Sequence, residues 1–384
     1  MKQRFVLMFA FFTFLLIVVG AYVYSSKNTL KAIPTTTETS KNLNSLSEQN
    51  VKISWDIQVV AQGLEVPWDI AISPQDELFI TERPGQVKIL TKDGKLINIA
   101  NLRQVSSNSE SGLTGIALHP NFNNNNFLYL YYSYQKGNST FNRVSRFTFQ
   151  DNTLSDEQII LNNLPGGPIH NGGRLRFGPD QKLWILTGDA GFESLAQNLN
   201  SLGGKVLRLN DDGTIPSDNP IKGSAIYSYG HRNPQGIDWY NGNLFISEHG
   251  SQAFDEINLI EPNKNYGWPI VKRCFSDDPK FVNPILCSEQ TTWAPSGLAF
   301  IETDIEELKN SLFFAGLRGQ LLERAVIEGR NVQSRETILK DTYGRLRAVT
   351  ADDKGNVYIS TSNRDGRGIP QQGDDKILKV SPKF

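Results

Sequence analysis

From residue 51 onward, short apolar runs alternate with turn residues at a pace that leaves little room for helices. "DELFITERPGQVKIL" (76–90), "NFLYLYYSY" (126–134), "QKLWILTGDAG" (181–191), "NLFISEHGS" (243–251), "SLFFAGLRGQLLERAVI" (311–327) and "NVYISTSNRDGRG" (356–368) share one plan. A turn residue opens each unit, a β-branched or aromatic run follows, and the run closes on Gly, Ser, Thr, Glu, Asp or Arg. Companion runs precede several units: "WDIAISP" (68–74), "TGIALHP" (114–120), "GGRLRFGPD" (172–180) and "LRAVTADD" (346–353). The spacing of roughly forty-five to seventy residues suits one four-stranded blade plus insertions. Six such units predict an all-β, six-bladed β-propeller rather than a β-sandwich or two small β domains. The runs at 55–62 and 375–382 are expected to complete one blade together, which hides both sheet edges. In such a ring the polar residues at unit ends converge on one mouth of the central channel.

The N-terminus breaks the pattern. Lys2 and Arg4 precede about twenty uncharged residues, Phe5 to Tyr24, long enough to cross a hydrocarbon core. The positive flank orients the remainder outward. A poor cleavage site after Tyr24 favours an uncleaved signal-anchor over a signal peptide for residues 1–24. Either way the body is expected to be exported, periplasmic or otherwise extracytoplasmic. Residues 25–50 are rich in Ser, Thr and Asn and read as a flexible linker, with the propeller domain spanning 51–384.

Composition narrows the partners. A net charge of −1 with 39% hydrophobic and 21% charged residues is an ordinary globular balance, and no basic excess points to nucleic acid. Cys274 and Cys287 are the only cysteines. An oxidising compartment and the absence of a nearby histidine or second cysteine pair favour a local disulfide.

Candidate chemistry gathers at unit ends. His170 is one of four histidines, and Gly172 and Gly173 beside it are expected to let another molecule approach the backbone. A histidine near its ordinary pKa of about 6.5 accepts protons at neutral pH. Arg232, Asn233 and Gln235 surround Pro234 in a rigid turn; arginine suits carboxylates, and the amides suit carbonyls. His231 beside them reads as structural. Arg345 and Arg347 alternate onto one face of a strand, where two guanidiniums repel unless an anion lies between them. Arg318 stands at another blade end. "SEHGSQAFDEINLIEPNKNYGWP" (247–269) is rich in oxygen ligands, including Glu248, Asp255 and Glu256, and suits a hard cation such as calcium. His249, within it, is compatible with a structural role. A small anion plus a metal is as far as residue chemistry leads.

The motifs "PWDIAISPQDELFITERPGQV", "GLTGIALHPNF", "IHNGGRLRFGPDQKLWILTGD", "GHRNPQG", "DEINLI…NYGWP", "APSGLAF" and "GRLRAV" occur in order between Leu64 and Lys379. Together they resemble the soluble PQQ-dependent sugar dehydrogenases, both the glucose and the aldose branch. The resemblance implies a six-bladed propeller whose anion is the tricarboxylate pyrroloquinoline quinone (PQQ). By motif position it implies His170 as general base, Arg232 stabilising charge on the quinone oxygens, and cofactor contacts at Glu110, Asn233, Gln235, Thr292, Arg318, Arg345 and Arg347. Calcium is implied at the carbonyls of Gly250 and Ser251, and a second calcium at Glu256 and the carbonyl of Tyr266. The implied reaction oxidises an aldose at C1 to the lactone and passes electrons to an external acceptor, near which a membrane tether at residues 5–24 would hold the enzyme, monomer or homodimer. Three features depart from the pattern. Ile169 stands where the glucose enzyme has an aspartate before the histidine, Glu110 replaces a glutamine, and 271–291 does not match. A calcium-dependent, lactonase-like propeller hydrolase is the first alternative; it needs an acidic metal cage at the channel centre. The second is a non-catalytic, tethered binding propeller.

Overall fold

The computed structural model describes residues 53–383. The expected anchor (1–24) and linker (25–50) lie outside the described residues. Six four-stranded antiparallel sheets follow one another around a ring. Their inner strands are Pro67–Ile72, Leu113–Leu118, Leu175–Phe177, Pro234–Tyr240, Pro295–Phe300 and Leu346–Ala351. Inner strands of successive blades touch, and the sixth touches the first. The ring is therefore the expected six-bladed propeller.

The second strand of each blade explains the apolar runs. Both faces of a blade are covered, so its strands read as continuous rather than alternating hydrophobicity. In Phe127–Lys136, Leu128, Leu130 and Tyr132 enter the apolar cluster shared with the first blade, whereas Tyr129 and Tyr131 enter the one shared with the third. In Leu183–Thr187, Leu183 and Ile185 face one neighbour while Trp184 and Leu186 face the other. Six such clusters exist, one per junction between blades. Truncating one of these side chains, such as Leu130 to Ala, should cost about 2–5 kcal/mol.

The last blade closes the ring with strands from both ends of the body. Ser54–Gln62 forms its outer strand and pairs with Lys376–Lys383, with Ser54 opposite Lys383 and Gln62 opposite Lys376. Asp69 plugs the channel. It is fully buried and takes a bidentate pair from Arg176 at 2.8 Å, while Arg174, just before the strand that carries Arg176, also binds it. Burial pushes the Asp69 carboxyl up, but the two guanidiniums outweigh that and hold it below its ordinary range.

Candidate active site

On one side of this plug, the loops leading into the inner strands meet those leaving the second strands. They enclose a cavity lined by Trp68, Arg83, Glu110, Asn171, Gly172, Gln235, His249, Arg345, Arg347, Asp365 and Arg367, with Ser109 and Leu317. Four guanidiniums face two carboxylates there, leaving two positive charges uncompensated. Asp365 accounts for one pairing. Its Oδ2 accepts from Arg345 Nε at 2.9 Å and Arg347 Nη2 at 3.2 Å. The anion expected between these arginines is thus supplied in part by the chain itself, from the unit ending "SNRDGRG". Burial still pushes Arg347 down to about 10, against the pull of Asp365. Burial also lowers Arg83 and Arg232, and the Nε atoms of both lack a hydrogen-bond partner in the protein. Such desolvated, partly unpartnered guanidiniums are favoured by an incoming anion.

His170 sits beside the wall formed by Asn171 and Gly172, at a left-handed φ of 55°. Its Nδ1 lies 2.7 Å from Oδ1 of the fully buried Asp189. The other carboxylate oxygen of Asp189 accepts from Trp268 Nε1 at 2.8 Å, and Gly191 N–H donates to Oδ1 at 2.8 Å. A carboxylate only accepts, so Nδ1 carries the imidazole proton and Nε2 keeps its lone pair. Asp189 therefore does the orienting that Ile169 is unable to do. The glycines after His170 also meet a packing demand of the chain itself. Gly172 has φ 63°, and a Cβ there would stand 2.6 Å from Leu186 O; one on Gly173 would stand 2.4 Å from Thr114 Oγ1. They let the His170 turn pack closely against its own neighbours, and Gly172 also lines the cavity.

Glu110 holds that turn from outside. Its N–H donates to Pro168 O at 3.0 Å, and its Oε2 accepts from His170 N–H at 3.0 Å. Its Oε1 pairs with Arg367 at 2.7 Å. Burial pushes the Glu110 carboxyl up, but the His170 N–H and Arg367 more than offset it, so it stays ionised.

The other sequence candidates divide. Gln235, Arg345, Arg347 and Glu110 line the cavity. Asn233 is buried, and its Oδ1 accepts from Gly172 N–H at 3.1 Å, so it braces the His170 loop. Thr292 donates to Asp255 at 3.0 Å and stands off the cavity wall. Arg318 is exposed and lines an adjoining pocket that shares Arg345 and Arg367. Arg232 lines a third, smaller pocket together with Glu248, His249, Gly250, Ser251, Glu256, Tyr266 and Trp268. All four residues implied for calcium thus meet in one place. Glu248 and Glu256 face each other across adjacent strands, and burial plus the Glu248 charge push the Glu256 carboxyl well up. A Cβ on Gly250 would fall 1.9 Å from Ala253 O and 2.5 Å from Phe254 O, so carbonyl oxygens crowd this turn. The carbonyls of this turn and the Glu256 carboxyl suit a hard cation, with Arg232, Lys272 and Arg273 also on the pocket wall. Among the described residues no cluster of three or more His, Cys, Asp or Glu side chains forms a metal cage.

His231 is structural, as expected: buried, bonded to Glu248 and Ser228 at 2.8 Å each, and stacked on Tyr266. His249 differs. It lines both the main cavity and the cation pocket, and its Nε2 has no partner in the protein. Enclosure pushes its imidazole down to about 3, with Glu110 pulling the other way and Arg232 adding to the fall, so the ring is neutral. The Cys274–Cys287 disulfide forms, joining the loop after Trp268 to the strand Leu286–Cys287. Among the described residues no acidic cage of the kind a lactonase-like site requires is formed, and Asp69 is committed to two arginines. Sequence reading overlooked Asp189, Asp365, Arg83, Arg367 and Trp268, although Asp189 and Asp365 both close repeating units.

Comparison with known proteins follows the same lines. The family described as Glucose / Sorbosone dehydrogenase matches residues 64–371. The aldose sugar dehydrogenase YliI of Escherichia coli is 30% identical over 357 residues, 85% of this chain and 93% of that protein. Quinoprotein glucose dehydrogenase B of Acinetobacter calcoaceticus is 35% identical over 253 residues, 57% of this chain and 53% of that protein. The solved PQQ-bound form of aldose sugar dehydrogenase from Streptomyces coelicolor superposes with a TM-score of 0.80 at 36% identity, covering 86% of this chain and 99% of that one.

Proposed function

The chain belongs to the glucose/sorbosone dehydrogenase family, and on that premise we propose that it is a PQQ- and calcium-dependent quinoprotein that oxidises aldose sugars at C1 to the lactone. The observation that carries the reading is a base-ready imidazole, His170 on Asp189, beside a cavity with excess guanidinium charge. The residues present fit the cofactor. Arg83, Arg345, Arg347, Arg367 and Gln235 would hold a planar tricarboxylate, and the pocket of Gly250, Ser251, Glu256 and Tyr266 would hold calcium. When bound, the quinone supplies a two-electron sink and calcium a Lewis acid.

The chain's own contribution is proton handling and charge placement. His170 Nε2 accepts the proton of the anomeric hydroxyl, and the buried Asp189 carboxylate stabilises the imidazolium that results. Loss of that proton together with the C1 hydride converts the cyclic hemiacetal to a lactone. Arg232, 5.2 Å over the Trp268 ring and desolvated, would supply fixed positive charge from the wall of the cation pocket. Electrons then pass to an external acceptor.

The test is reconstitution. Purified protein supplied with PQQ, calcium and an aldose should reduce an artificial dye, and His170→Ala should lose that activity while still binding PQQ. Lactone cleavage without PQQ would instead favour the hydrolase. Export, with a tether through residues 5–24, belongs to the same proposal: fractionation should recover the protein outside the cytoplasm, and cytoplasmic recovery refutes it.

A further inference from the structure

His249 is a histidine that the proton chemistry leaves unused. Its neighbours in the chain are committed: Glu248 to His231 and to the Arg232 N–H, and Gly250 N–H to Asp255. The His249 backbone N–H is 3.4 Å from Asn233 O. Its ring makes no hydrogen bond to any described residue, and Nε2 is shut off from solvent. His231, by contrast, has both ring nitrogens tied to carboxylate and hydroxyl partners, and His170 has its Nδ1 on Asp189. His249 as a whole is half-buried, but a ring nitrogen buried without a partner costs folding free energy, and natural proteins seldom retain one without a use. Its position supplies the use, since it forms part of the wall of both the cofactor cavity and the cation pocket, between Arg232 and Arg347.

We infer that His249 is a direct cofactor contact, its ring hydrogen-bonding the oxygen-bearing edge of the planar quinone where that edge meets the cation pocket. This rests on the functional reading above and adds a residue to it. The unpartnered ring is then a cost carried by the empty protein and recovered on binding. A leucine fills similar space and has no polar atom to leave unpaired; a glutamine keeps a hydrogen-bonding head.

PQQ affinity and apo-protein melting temperature, measured at fixed saturating calcium, separate the cases. His249→Leu is expected to weaken PQQ binding about tenfold or more, as loss of one buried hydrogen bond implies, and to shift the apo melting temperature upward. His249→Gln is expected to restore most of the affinity. Unchanged affinity in His249→Leu overturns the inference and leaves the functional reading standing. A lower apo melting temperature in His249→Leu, with no recovery in His249→Gln, also overturns it, because the ring is then structural. Wild-type protein that ignores PQQ overturns both.

Discussion

Replacing Asp189 by asparagine tests the proton chemistry at its support. The change is nearly isosteric, yet it exchanges one acceptor oxygen for a donor. Asp189 Oδ1 serves His170 Nδ1 at 2.7 Å and Gly191 N–H at 2.8 Å, while Oδ2 serves Trp268 Nε1 at 2.8 Å. The indole only donates. If the amide oxygen turns to Trp268, the NH₂ faces His170 and forces the tautomer with its proton on Nε2, which has no lone pair left for substrate. If the oxygen turns to His170, two N–H groups confront each other in a site with no exposure, at a cost of about 1–3 kcal/mol. In the first arrangement the NH₂ also meets the Gly191 N–H, so each arrangement leaves one donor facing another; the second keeps the tautomer but loses the carboxylate charge that stabilises the imidazolium. A carboxylate-to-amide change that fixes the wrong tautomer lowers turnover by about 10⁴. Dye-reduction kinetics with PQQ-loaded protein should therefore show kcat reduced about 10³–10⁴-fold, with PQQ affinity close to wild type because Asp189 does not line the cavity. A variant retaining kcat within threefold of wild type would refute both the tautomer argument and His170 as base.

Other expectations follow from the same geometry. Glu110→Ala removes the acceptor for His170 N–H and the partner of Arg367; kcat should fall at least tenfold and amide exchange at His170 should quicken, whereas Glu110→Gln, which keeps an acceptor, should recover most of both. Lys205 is buried, bonds the carbonyls of Leu195, Ala196 and Gly203, and burial pushes its ammonium down to about 7. Because the unfolded chain holds that proton up to about pH 10.4, wild-type stability relative to Lys205→Met should rise from pH 7 toward 10 and stay level below 7; a difference flat across that window in thermal melts would contradict it. Removing the Cys274–Cys287 bridge, with a sequence separation of 13, should lower stability by up to about 3 kcal/mol if loop entropy governs; a double serine variant melting at the wild-type temperature would show that the loop is held by other contacts.

Much of this architecture is readable in the chain because each blade repeats one solution to the same packing problem. The "LYLYYS" run announces a strand covered on both faces, and the companion runs at 68–74 and 114–120 are inner strands. Arg345 and Arg347 share a face as their alternation requires, and the anion they need is identifiable in kind. What the sequence conceals is the source of partners. Asp365 lies 18 residues from Arg347, and Asp189 lies 79 from Trp268. Nothing local links such pairs; only ring closure brings them together. A reading of unit endings would have flagged both aspartates, since each lies just after the second strand of its blade, as the candidate histidine lies just before an inner one. Gly172 and Gly173 hide a second demand for a related reason: their small size is also needed by the chain behind them, which sequence order does not reveal.

The joining of the first and last strands also governs how this molecule would respond to tension. A pull delivered through the residues before Ser54 would meet the Ser54–Lys383 rung first and peel the strand one rung at a time toward Gln62. Past Gln62 the chain is stitched to the last blade again, by Leu64 N–H to Asp375 O at 3.0 Å and Val66 N–H to Asp375 Oδ2 at 3.2 Å. Trp68, a wall of the cavity, comes two residues later. Mechanical load would thus travel along a single seam straight to the inner strand that forms part of the pocket wall.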